Sequence, residues 1–141
     1  MDTKEIYVAG SLFSLHEGLF LEPIKSFFLP HRDAVDVGVA GRKRDMVFYD
    51  DIEYLNKSKV VIALLDGPDV DSGTAVELGY AYAKEKEIFG ILTDKRYWNN
   101  KMEQVEAINN MIWGVCQEGK RIYSTIDVLA DNIRNVLLRK D

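Results

Sequence analysis

Short, wholly apolar runs alternate along this chain with longer segments whose apolar positions recur every three to four residues. The clearest runs are Ile6-Tyr-Val-Ala9, Val60-Val-Ile-Ala-Leu-Leu65 and Ile88-Phe-Gly-Ile-Leu92. The second and third are apolar on both faces, the pattern of strands buried inside a parallel sheet. Val35-Asp-Val-Gly-Val39 and Arg121-Ile-Tyr123 read as shorter strands. Helices are expected over residues 14–28, 45–57, 74–85, 102–113 and 126–138. Ser14-Leu-His-Glu17 has capping-box spacing, and Pro23 predicts a kink or a split in that first helix. Phe48, Ile52 and Leu55 share one face of the second. Ile126, Leu129, Ile133, Val136 and Leu137 make the last one amphipathic. Strand followed by helix, repeated, predicts an α/β chain: a doubly wound five-stranded parallel sheet with helices on both faces and right-handed crossovers.

Composition narrows the class. With 141 residues, 1–141 is expected to be a single domain with a real core. A net charge of −5 argues against a nucleic-acid polymer or a polybasic membrane surface and leaves small ligands open. The lone Cys116 excludes an intramolecular disulfide and argues against a cysteine metal site. The opening Met-Asp-Thr-Lys-Glu has no signal-peptide core, and no apolar run approaches the roughly 18 residues of a membrane span, so a cytoplasmic protein is expected.

The chemistry concentrates between Asp66 and Tyr82, where a buried strand passes into a helix. Open α/β sheets bind their ligands at the carboxyl ends of strands. Glu77 has two readings. Thr74-Ala-Val-Glu77 is a capping box, which would tie Glu77 to backbone. Alternatively, a carboxylate kept ionised by the helix dipole is a competent nucleophile towards an anomeric carbon. Asp71 is either a turn or cap residue or a site residue. Asp66, Asp69 and Asp71 lack the spacing of a calcium loop, and no metal is expected. Asp51 falls on the stripe of Phe48 and Leu55, where a half-buried carboxylate could serve as a general acid; the alternative is a position at the helix edge. The first turn, Tyr7-Val-Ala-Gly-Ser-Leu-Phe-Ser14, has neither a dinucleotide fingerprint nor a phosphate loop. Gly10 allows close backbone approach, and Tyr7 and Phe13 offer aromatic surface, although Tyr7 is equally a core residue. Asn109 is either a solvated helix residue or a polar contact, and Trp113 a packing anchor. His16 and His31 have no metal-ligand partners. Arg42-Lys-Arg44 is a solvated cluster that could meet a phosphate.

Together these pieces resemble the nucleoside 2-deoxyribosyltransferase family. The resemblance rests on Tyr7-Val-Ala-Gly-Ser-Leu-Phe, on Asp51, on Asp71-Ser-Gly-Thr-Ala-Val-Glu77-Leu-Gly-Tyr-Ala, and on Asn109-Asn-Met-Ile-Trp-Gly114. It implies a flavodoxin-like sheet and cleavage of the N-glycosidic bond of a 2′-deoxynucleoside, with a free nucleobase as second substrate and no cofactor. It implies Glu77 as the nucleophile that forms a covalent deoxyribosyl-enzyme. Asp51 would protonate the departing base, Asp71 would help to hold the sugar, and the Tyr7 hydroxyl would orient Glu77. Gly10, Phe13 and Asn109 would contact substrate, Asn109 from a neighbouring subunit, which implies a homo-oligomer. Two other readings share the pattern. One is a 2′-deoxynucleoside 5′-monophosphate N-glycosidase, which Met111-Ile112 argues against and Arg42-Lys-Arg44 keeps open. The other is a binding module without catalysis, which has no need of Glu77, Asp51 and Asp71 together.

Overall fold

In the computed structural model, residues 6–10, 27–28 and 43–139 are described, 27–28 by backbone alone. They form strands β1 (Ile6–Ala9), β2 (Phe27–Phe28), β3 (Val60–Leu64), β4 (Glu87–Ile91) and β5 (Ile122–Tyr123). The helices are α1 (Arg44–Lys57), α2 (Ser72–Ala83), α3 (Asn110–Val115) and α4 (Ile126–Leu138). The sheet runs in the order β2–β1–β3–β4–β5, and every pairing is parallel. Order reversal beside β1 makes a switch point between β1 and β3, the place at the carboxyl ends of the strands where open α/β sheets bind their ligands.

Alternation along the strands sorts the core into two layers. Tyr7, Ala9, Val61, Ala63 and Ile88 face one way and pack with Leu55 of α1 and Leu78 and Ala81 of α2. Ile6, Val8, Ile62, Phe89 and Ile91 face the other way, against Leu129, Ala130 and Ile133 of α4. Helices thus cover both faces, and the buried strands are apolar on both sides as their sequences require. Among the described residues, no helix is long and apolar enough to cross a membrane. Cys116 is fully buried, and burial pushes its thiol up to about 12, so it is a packing residue.

Three expectations need correction. The strand expected at residues 35–39 lies outside the described residues, and the strand beside β1 is Phe27–Phe28, inside the segment expected to be helical. Two adjacent aromatics suit a strand, and the chain beyond Pro23 need not continue a helix. Residues 102–113 are not one helix: only Asn110–Val115 is α-helical there, and Trp98 bridges Val105 in antiparallel fashion before it. On α1, Phe48 is 55% exposed rather than inward, because the helix is anchored through Leu55.

Candidate active site

The start of α2 decides between the two readings of Glu77. The helix begins at Ser72, two residues before the position expected, and its N-cap is Asp71. Asp71 Oδ2 accepts from the Thr74 backbone N–H at 3.1 Å, with Thr74 Oγ1 at 3.4 Å. Asp71-x-x-Thr74 therefore supplies the cap, and the Thr74–Glu77 capping box does not form. Two overlapping motifs of the same spacing competed for this helix start, and the earlier one holds it.

Released from capping, Glu77 turns into the layer between the sheet and α1. It is half-buried, and its Oε2 is inaccessible to solvent, with no hydrogen-bond partner among the described residues. Tyr7 reaches it from β1. Tyr7 is fully buried, and its hydroxyl lies near enough to the Glu77 carboxyl to favour its ionisation. Asp51 of α1 is also half-buried, with Oδ1 out of contact with solvent. The structure thus brings together Tyr7, Asp51 and Glu77 from three elements, and Asp71 stands one helical turn and a half before Glu77.

Electrostatics couple the four groups. Burial raises the Glu77 pKa most, the nearby Tyr7 hydroxyl opposes that rise, and the charges of Asp51 and Asp71 add to it; the result is about 7. Tyr7 is pushed well above the ordinary phenol range, first by burial, then by the neighbouring Glu77 charge. It is therefore a permanent donor at neutral pH and not a base. A carboxylate that titrates near neutrality, with one oxygen buried beside a phenol and not used for helix capping, is equipped for nucleophilic or acid–base work.

The remaining candidates fall elsewhere. Gly10 ends β1, and a Cβ there would lie 2.7 Å from Leu64 Cβ, so the close packing of β1 on β3 already requires glycine. Phe13, His16, His31 and Arg42 lie outside the described residues. Asn109 starts a helix where the end of one was expected: it is the N-cap of α3, and its side chain accepts from Met111 N at 2.8 Å. It lines a groove with Asp69, Val70, Leu78, Gly79 and Met111. No described contact joins it to Glu77.

Two loop-fixing residues escaped the sequence reading. Asp66 was considered only as a cation ligand, yet its carboxylate accepts from Thr93 N (2.8 Å), Thr93 Oγ1 (2.9 Å) and Asp94 N (3.0 Å). The Tyr97 hydroxyl donates to the carbonyl of Gly67 at 3.0 Å. Together they fasten the loop that carries Asp71 to the end of β4. Both contacts span about thirty residues of sequence, and no local spacing announces them.

The nucleoside 2-deoxyribosyltransferase family profile matches residues 6–121, and the chain belongs to that family. Several solved structures share the fold, among them three from Enterococcus, Leishmania and Clostridium. A conserved protein from Enterococcus faecalis V583 is 27% identical with a TM-score of 0.77, and the match covers 93% of this chain and 97% of that one. A 2-desoxiribosyltransferase from Leishmania mexicana is 19% identical with a TM-score of 0.65, over 92% of this chain and 96% of its own. A CMP N-glycosidase from Clostridium botulinum is 20% identical with a TM-score of 0.53, over 93% and 98%. An uncharacterised Schizosaccharomyces pombe protein is 45% identical over 47 residues, and the match covers 33% of this chain and 21% of that protein.

Proposed function

We propose that the protein transfers the 2-deoxyribosyl group between nucleobases, on a flavodoxin-like, doubly wound five-stranded sheet, through a covalent intermediate on Glu77. The observation that carries this reading is the release of Glu77 from capping into a half-buried position near Tyr7 and Asp51. Membership of the deoxyribosyltransferase family supports it.

In the first step, a Glu77 carboxylate oxygen attacks C1′ as the bond from C1′ to the base nitrogen breaks. The base leaves with that electron pair, and Asp51 supplies its proton. The Tyr7 hydroxyl holds the nucleophile in line, and Asp71, whose Oδ2 is engaged at the helix start, offers Oδ1 to a sugar hydroxyl. The transition state resembles an oxocarbenium ion, which the nearby carboxylates stabilise. In the second step, a nitrogen of another base attacks C1′, Glu77 leaves as carboxylate, and Asp51 takes back the proton. No step needs a cofactor. Asn109, on a groove away from Glu77, fits a role in a neighbouring subunit's site within a cytoplasmic homo-oligomer.

Water in place of the second base gives hydrolysis. That second reading is favoured by the fold shared with the Clostridium CMP N-glycosidase. One experiment separates them: incubate the protein with a 2′-deoxynucleoside, with and without a second free base, and resolve the products. A new deoxynucleoside formed only with acceptor supports transfer. Free base released without acceptor supports hydrolysis. Intact mass after rapid denaturation reads the deoxyribosyl adduct, which Glu77→Ala abolishes. Absence of product and adduct from deoxynucleosides and their monophosphates alike would overturn both readings.

A further inference from the structure

Helix α1 carries Asp51 and exposes much of its first half. Leu55 is its one buried residue, and Met46, Phe48 and Tyr49 in its first half are 44%, 55% and 67% exposed. Ile52 and Tyr54 pack in part against the core, and a cluster of hydrogen bonds at the other end ties the helix to α2 and to the chain before β4. The Tyr80 hydroxyl of α2 donates to Asn56 Oδ1 at 2.6 Å. Lys86, in the connection from α2 to β4, donates through Nζ to the carbonyls of Asn56 (3.0 Å) and Ser58 (2.5 Å). Ser58 closes the helix with backbone and hydroxyl bonds to the Tyr54 carbonyl at 3.1 and 2.7 Å. The helix end thus carries the orphan carbonyls of any C-terminus, and a cation there suits the dipole.

Tyr80 follows Glu77 by three positions, which puts both side chains on the same side of α2. Asn56 follows Asp51 by five, or roughly 7.5 Å along the helix axis. The Asn56–Tyr80 contact is therefore a strut between the helix that holds the acid and the helix that holds the nucleophile, about one turn from Glu77 and about a turn and a half from Asp51. We infer that Asn56 and Tyr80 are positioning residues: their hydrogen bond fixes the swing of α1 on α2 and so sets the separation of Asp51 from Glu77. The catalytic meaning of that separation rests on the function proposed above, but the separation itself does not.

Two readouts keep the two apart. The first needs no substrate. In protein carrying carbon-13 at the glutamate side-chain carboxyls, the Glu77 signal is assigned by its loss in Glu77→Gln and followed through a pH titration. The ionisable groups that act on it are Tyr7 of β1, Asp51 of α1 and Asp71 before α2. In Tyr80→Phe and in Asn56→Ala, α1 swings outward, Asp51 recedes and water enters. Both effects favour ionised Glu77, so the midpoint falls by about one pH unit. The double variant falls no further than either single one, because one contact is lost in each case. The second readout is turnover: kcat falls about tenfold while KM stays within about twofold. A Glu77 midpoint that stays in place in both variants, with a lowered thermal midpoint as the only change, overturns the inference. A midpoint that moves in a protein with no turnover of any deoxynucleoside leaves the strut standing and removes the function.

Discussion

The two faces of the sheet are built on different terms. On the α4 side, Ile6, Val8, Ile62, Phe89 and Ile91 meet Leu129, Ala130 and Ile133, and the Glu87 carboxylate on that face is paired with Arg121. On the side of α1 and α2, the same strands present Tyr7 to a layer that holds Glu77 and Asp51, while Phe48 and Val76 of those helices are turned to solvent. An acid inside and large apolar side chains outside invert the usual preference of both residue types. Where local rules agree, the outcome is a core; where they conflict and the conflict is retained, the outcome is a site. Substitutions on the two faces should therefore part company: one face should lose stability and keep chemistry, the other the reverse.

The largest effect expected is Glu77→Gln. It removes the proposed nucleophile and should lower deoxynucleoside cleavage by at least about 10³-fold, as loss of a covalent catalyst does. Asp51→Asn should cost about 10²–10⁴-fold, the span of general acid catalysis, and should be rescued in part by a nucleoside whose base leaves without protonation. Across the sheet, Ile133→Ala should destabilise the fold by about 2–4 kcal/mol in denaturant unfolding, with kcat of the folded protein unchanged. Equal activity loss at Ile133 and Glu77, per folded molecule, would erase the distinction between the faces.

A smaller effect has an unusual sign. Glu77 has its pKa raised to about 7, so the folded state holds that proton after the unfolded chain has released it. Stability carried by the protonated form is complete below the ordinary carboxylate range and is lost as pH rises through about 7. Glu77→Gln cannot pay that penalty, and at pH 8 it should be more stable than the wild-type chain by up to about 3 kcal/mol, with the difference vanishing near pH 4. Urea unfolding at the two pH values reads it. The same titration predicts that kcat/KM falls about tenfold per pH unit below neutrality, since the proposed attack requires the carboxylate.

How far the sequence led differs between the faces for the same reason. The α4 stripe and the apolar strands β3 and β4 are periodic signals, and periodicity is local, so these were legible. The α1 stripe misled at Phe48, because apolar residues stand on several sides of that helix and the anchor at Leu55 chose the rotation. Asp51, Glu77 and Tyr7 were legible as candidates because a carboxylate among apolar residues is conspicuous in sequence. Their mutual placement was not, since it depends on which of two capping motifs starts α2. Asn109 was read at the end of a helix that begins there, because Asn serves both termini. Asp66, Tyr97, Asn56 and Tyr80 act across 24 to 30 residues, beyond the reach of any spacing rule.

The finest test of the comparison is at Asp71, which belongs to both descriptions: it caps α2 and its charge acts on Glu77. Two substitutions separate those roles. Asn is as good a cap as Asp, so Asp71→Asn should leave stability within about 0.5 kcal/mol, whereas Asp71→Ala should lose about 1 kcal/mol. The charge is gone in both, so in both the Glu77 titration moves slightly downward from about 7, the direction set by losing a neighbouring negative charge. If Asp71 also holds the sugar through Oδ1, the KM for deoxynucleoside rises in both variants by a similar factor. A KM that rises in Asp71→Ala alone, in step with its lost stability, would make Asp71 a helix cap and return it to the part of the molecule that only folds.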